Sequence, residues 1–166
     1  SGSSPSKLNE SMSDYEAAMG YMFRFGPYVW SPYVEPFLGY FTHKVFTDAA
    51  TPEAFTTMVY NGFKLGLKGS APIGLGSEYG AGGEFAFSLR SGLQETPVSS
   101  GGSSTNNVVQ FGFFGFKKIG GRLKAQAQLD FEMYSSSFSG TGTRAESARS
   151  ASQRFTTLSG GVYYMF

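Results

Sequence analysis

His43 is the sole histidine of a serine-rich chain, so the first chemistry to consider is a general base activating a hydroxyl nucleophile. Its surroundings, Gly39-Tyr40-Phe41-Thr42-His43-Lys44-Val45-Phe46, put it near the end of an alternating segment with no serine beside it. A metal centre needs several nitrogen or sulfur ligands, and the chain has neither a second histidine nor any cysteine. No catalytic residue, metal or cofactor is therefore expected. Gly74-Leu75-Gly76-Ser77-Glu78-Tyr79-Gly80 is as glycine-rich as a phosphate-binding loop, but the spacing is not G-x-G-x-x-G and no lysine follows. It reads as a turn before a strand.

The remaining chemistry-bearing residues alternate with apolar ones. From Arg122 to Tyr134, Lys124, Gln126, Gln128, Asp130 and Glu132 fall on one face, opposite Leu123, Ala125, Ala127, Leu129, Phe131 and Met133. The same alternation sets Lys64 and Lys68 against Phe63, Leu65 and Leu67, and Glu84 and Arg90 against Phe85, Phe87 and Leu89. Arg24 lies opposite a Met19/Tyr21/Phe23/Phe25 face, Glu35 falls in a segment from Val34 to His43 interrupted by Pro36, and Gln110 faces away from Val109, Phe111 and Phe113.

These residues must be positioned by strands. Period-two patterning runs from about residue 15 to the end, broken by Gly, Ser, Pro and Asn clusters, and no helical stripe lasts three turns. Over 166 residues this is one domain, residues 15–166, behind a polar stretch, residues 1–14, that reads as a flexible leader or cloning remnant. Phenylalanine and tyrosine, 17 and 10 residues, dominate the aromatic share of 17%, while only 15% of residues are charged, well below the usual quarter. With 23 glycines, this suits a sheet facing lipid. A net charge of +1, with basic residues dispersed, gives no field for nucleic acid. No apolar run is long enough for a membrane helix, so the bilayer is open to this chain only through strands.

The firmest hairpin joins Val108–Lys117 to Arg122–Tyr134 through Lys118-Ile119-Gly120-Gly121. Seven segments are clear, and membrane barrels of single bacterial chains have an even number. Asn61-Gly62, a strong two-residue turn signal, supplies the missing division, although Val59, Phe63, Leu65 and Leu67 keep one phase through it.

The last ten residues, Thr157 to Phe166 (TLSGGVYYMF), alternate and stop on phenylalanine, with Leu158, Val162, Tyr164 and Phe166 on one face. This strand resembles the carboxy-terminal strand of small bacterial outer-membrane β-barrels of the eight-stranded type. The resemblance implies a closed, antiparallel, up-and-down transmembrane β-barrel that is all-β, in the outer membrane, with its C-terminus on the periplasmic side and Phe166 read by the barrel-insertion machinery. It implies contact with outer-membrane lipids and lipopolysaccharide, and short periplasmic turns opposite longer outer loops. Those loops are expected at Gly92–Asn106 and Ser135–Ser152, the latter with Arg144, Arg149 and Arg154 around Glu146.

An eight-stranded interior is just wide enough for side chains to fill. Arg24, Glu35, Lys64, Lys68, Glu84, Arg90, Lys124, Gln126, Gln128, Asp130 and Glu132 are expected to interlock there with both signs in near balance, plugging the lumen rather than lining an ion path. Tyr28, Trp30, Tyr33, Tyr164 and Phe166 are expected at the membrane interfaces as aromatic belts, and His43 there too. The reading is a monomeric, non-enzymatic barrel acting in membrane integrity or through its surface loops. Its rivals are a lipid-modifying enzyme, a narrow channel, and a soluble barrel of lipocalin type with the polarity inverted.

Overall fold

The computed structural model describes residues 9–48, 56–74, 76, 78–144 and 148–164. The chain is all-β. Eight strands form one antiparallel sheet: β1 (Asn9–Gly20), β2 (Phe23–Arg24), β3 (Tyr33–Asp48), β4 (Thr57–Pro72), β5 (Tyr79–Thr96), β6 (Ser103–Gly120), β7 (Leu123–Ser139) and β8 (Ser150–Tyr164). Each long strand pairs with the next in sequence, and β2 continues along the edge of β3 that β1 occupies. The sheet curls into an open half-barrel whose free edges, β1 and β8, stand 10 Å apart.

Long strands follow from long alternation, and three boundaries move because of it. Asn61-Gly62 is not a turn. β4 runs straight through it, with Phe41↔Gly62 and Thr42↔Asn61 in register, because a turn there would have thrown Phe63, Leu65 and Leu67 off the apolar face they share. The eighth strand is instead β2, a two-residue piece beyond a break at Tyr21-Met22. At the N-terminal side, Asn9–Asp14, expected in a leader, pair with β3 from Asp48 to His43. The expected loops shrink: Ser103–Asn107 pair with Ser135–Ser139, leaving connections over residues 97–102 and 140–149. Serine and threonine supply the rungs of this polar arm, as in the 2.8 Å bond between the Ser103 and Ser139 hydroxyls.

At the short end the expected β6–β7 hairpin forms, with its turn moved from Lys118–Gly121 to Gly121-Arg122 because β6 pairs on to Gly120. β6 turns into β7 through Gly121-Arg122, where Gly121 takes φ +52°, and β4 turns into β5 through residues 73–78, closed by Ile73 N–H donating to Tyr79 O at 2.9 Å. The two faces have opposite chemistry. Leu38, Tyr40, Phe63, Leu65, Leu67, Phe85, Phe87, Phe113 and Leu158 are exposed on the convex face. Phe37, Phe41, His43, Tyr60, Lys64, Phe114, Phe116, Lys124, Gln126 and Tyr134 are buried on the concave one.

Candidate functional site

The concave face is built in three tiers. Next to the long connections lies an aromatic tier: Phe41, Tyr60, Val108 and Tyr134 pack together, with Met58, Leu93 and Phe155 against them. Tyr60 OH and Ser136 Oγ share a hydrogen bond of 3.0 Å. His43 belongs to this tier. It is 1% exposed and stacks on Tyr134 (centroids 4.2 Å, planes 19° apart), with Phe155 at 4.7 Å. The interface position expected for it is therefore wrong. His43 and Phe41 share the inward phase of β3, and Nδ1 hydrogen-bonds Asp14 Oδ1 across the β1–β3 pair.

The polar tier lies beneath. Lys64, 4% exposed, donates from Nζ to Glu16 Oε2 at 2.6 Å and to Gln110 Oε1. Gln110 Nε2 reaches Glu84 Oε1 at 3.4 Å, and Lys68 Nζ lies 3.5 Å from Glu84 Oε2, so one chain of contacts crosses β1, β4, β5 and β6. Along β7, Gln126 donates to Gln128 at 2.9 Å, Gln128 to Asp130 at 2.7 Å, and Tyr134 OH to Glu132 at 2.8 Å. An interior ammonium ion with two oxygen acceptors is held far better than an isolated one.

The third tier closes the turn end. Phe37, Phe114 and Phe116 point inward against backbone that carries no side chain. A methyl group at Gly66 would overlap the Phe37 ring, one at Gly80 the Phe116 ring, and one at Gly82 the Phe114 ring. Large residues facing small ones let rings fit a tapering interior. Lys124 threads between the rings, with Nζ 5.1 Å from the Phe116 centroid, 5.6 Å from Phe114 and 5.6 Å from Tyr163. Trp30 folds onto Phe116 at 6.3 Å, and Lys118 lies over the Trp30 ring.

Of the expected lumen set, Glu35, Lys64, Lys68, Glu84, Lys124, Gln126, Gln128, Asp130 and Glu132 lie on the concave face. Two do not join it. Arg24 pairs with Tyr33 but sits exposed at the rim beside Met22. Arg90 is turned outward, opposite Phe63, because β5 carries one extra residue, Leu89, between Arg90 (paired with Phe63) and Ser88 (paired with Lys64). Such a bulge flips the phase of everything beyond it. In their place β1 contributes Asp14 and Glu16. The near balance of charge is lost: two cavities border β1, one of about 40 Å³ with Asp14, Glu16 and Glu132 against Lys64 and His43, the other of about 170 Å³ with Glu16, Glu35 and Glu84 against Lys68.

The aromatic belt is thinner than expected. Tyr33 is 6% exposed inside the turn end and Trp30 folds over it, whereas Tyr28 and Tyr164 are exposed. Phe166 and Glu146 lie outside the described residues. Arg154 is exposed on β8, and Arg144 packs on the neighbouring connection, its N–H donating to Ser99 O at 3.1 Å. Asp14 and Glu16 had a signal in the sequence: Asp14, Glu16, Ala18 and Gly20 alternate with Tyr15, Ala17 and Met19, continuing the period upstream of Met19. No family model matches this sequence, and comparisons with curated proteins and with solved structures give no match.

Proposed function

We propose that this chain is the wall of a small outer-membrane β-barrel, closed in the bilayer and non-enzymatic, whose interior is plugged by side chains and whose work is membrane integrity or surface recognition through its polar arm. The observation that carries this reading is the inside-out polarity. On β5 the outward residues from Tyr79 to Leu89 are apolar or small, while Glu84 and Ser88 between them face the interior. Ten steps at about 3.3 Å, tilted by about 40°, cover about 25 Å of depth, the height of the apolar band on such barrels. A lipocalin-type barrel would put that face inside.

The plug reading rests on the aromatic tiers at both ends of the polar one. Against an enzyme stands the packing of His43: its ring is sandwiched by Tyr134 and Phe155, and the nearby Ser136 hydroxyl is engaged by Tyr60. A general base must reach the proton it takes. The rim arm, with Arg144 at its base and Arg149 and Arg154 exposed, supplies guanidinium groups for lipopolysaccharide phosphates. The test is extraction and folding. The protein should need detergent to stay monomeric and should migrate differently on a denaturing gel before and after boiling. Full solubility as a monomer in buffer alone would overturn the proposal.

A further inference from the structure

Above the aromatic tier, at the end of the long connections, the concave face opens into a cup of about 490 Å³. Its walls continue the inward alternation of three strands past the tier: Val45 and Thr47 beyond His43, Met58 and Thr56 beyond Tyr60, and Ala151 beyond Phe155. The cup is blind. Tyr60, His43 and Tyr134 beneath it are 0%, 1% and 4% exposed, and Gln153 Nε2 reaches Met58 Sδ at 3.5 Å, tying β8 to β4 across the interior. Small-molecule sites have volumes of about 300–1,000 Å³ and a mostly apolar lining with a few placed polar groups, and the mouth of a β-barrel is one of their recurrent positions.

We propose that this cup binds a compact aromatic monoanion, an arylcarboxylate, with its ring against Phe155 and Met58 and its carboxylate toward Arg144 and Arg154. This goes beyond the barrel reading and needs only the curled sheet. The ring follows from the walls: Val45 and Ala151 are apolar, and an aromatic ring and a thioether both favour an aromatic neighbour. The closed floor stops a long acyl chain from threading down. The charge follows from the lining, where Arg144 and Arg154 stand and, among the described residues, no carboxylate does. Arg144 need not be without partners for this. Its main-chain N–H donates to Ser99 O at 3.1 Å and its Nη1 lies 3.5 Å from Ser100 Oγ, which steadies the side chain, and a guanidinium carries five donors. Two acidic residues lie near in register. Glu95 is engaged behind the wall, Oε2 accepting from Ser100 N–H and Oε1 from Ser100 Oγ, each at 2.7 Å, with Thr56 Oγ1 at 3.4 Å. Glu10 pairs with Thr47 from β1, a strand of which no described side chain lines the cup. Attraction falls with distance, so the guanidinium groups in the lining set the sign.

The test titrates the full chain, in nanodiscs of zwitterionic lipid, with naphthalene carboxylate, naphthylmethanol and naphthylmethylammonium, and follows backbone amide shifts. Saturable shifts should be confined to the cup, at Val45, Met58 and Phe155, and the alcohol and the ammonium should each bind at least about tenfold more weakly than the carboxylate, the loss expected for a charge-assisted pair. Arg144→Gln combined with Arg154→Gln should abolish that preference. Ala151→Trp, which fills the cup, should abolish binding of all three, with the amides of β4 to β6 still protected from exchange in both variants. Should a variant lose that protection, the order of the three ligands on the unaltered chain decides by itself. Shifts that never saturate or that spread to Leu65 and Phe85 on the convex face, equal or tighter binding of the alcohol or the ammonium, a carboxylate preference that survives the arginine replacements, or undiminished binding by Ala151→Trp would each overturn the proposal.

Discussion

The turn-end tier makes a quantitative demand on Gly66. A methyl group there would overlap the Phe37 ring and sit 2.9 Å from Ala86 Cβ, so it is met from two sides, and Phe37 and Ala86 are both buried. Overpacking of this kind costs about 1–3 kcal/mol, and with neither neighbour able to retreat into solvent the upper half of that range applies to Gly66→Ala. At about 2 kcal/mol the unfolding equilibrium shifts roughly thirtyfold. Gly160→Ala is the control, because Gly160 lies exposed on β8 with only Gln126 O at 3.7 Å. Shortening the opposing ring should relieve the clash: Phe37→Leu alone is expected to cost about 1 kcal/mol, yet the double variant should fall short of the sum by about 1 kcal/mol or more. Urea unfolding in micelles, followed by the fluorescence of the single tryptophan, Trp30, reads all four proteins. Gly66→Ala and Gly160→Ala with equal midpoints, or strictly additive Gly66→Ala and Phe37→Leu, would refute an interior packed ring against glycine.

Three other outcomes are expected. Lys64→Met leaves Glu16 and Gln110 without their shared donor and should destabilise by about 1–3 kcal/mol, the half-exposed Glu16 holding the loss below that of a fully buried pair; adding Glu16→Gln should recover part of it in the same urea series. His43→Phe should fold, since Tyr134 and Phe155 can pack on the new ring, and should leave any lipid-modifying activity of the preparation unchanged; loss of such activity would return His43 to catalysis. In planar bilayers the protein should be silent, and Phe114→Ala with Phe116→Ala should produce conductance steps, since these rings and Lys124 close the turn end.

What could be read in advance was phase; what could not was any local departure from it. Lys124 to Glu132 alternate without interruption, and the structure keeps them on one face. Arg90 was lost because a single extra residue, Leu89, leaves no mark in composition: Leu89 and Arg90 look like the next two beats of the same rhythm. Phe114 and Phe116 were missed for a related reason. Phe113-Phe114 breaks the rule that apolar residues face out, and only the opposing glycines, on another strand, make room for rings inside. Tyr33 beside Pro32 and His43 after Phe41-Thr42 read as strand-end residues, which suggests interfaces, whereas interior partners far apart in sequence bury both. Asn61-Gly62 carried a turn signal that register overrode, since half of β3 is already paired beyond it.

The bulge at Leu89 also divides β5 by solvent. On its turn side the outward residues are Phe85 and Phe87; on the other side Arg90, Gly92, Gln94 and Thr96 are all exposed, with the serine arm alongside. On the barrel proposed above, the extra residue would stand at the waterline, allowing one continuous strand to be apolar outside on its turn side and polar outside beyond it without a change of residue rhythm. Coding changes at this point would be absorbed. Replacing Leu89 with another apolar residue would alter little, and deleting the one codon would set Arg90 directly after Ser88, opposite Phe63 and Lys64, erasing the bulge and its local bend while Ser91, Leu93 and Glu95 keep their inward phase.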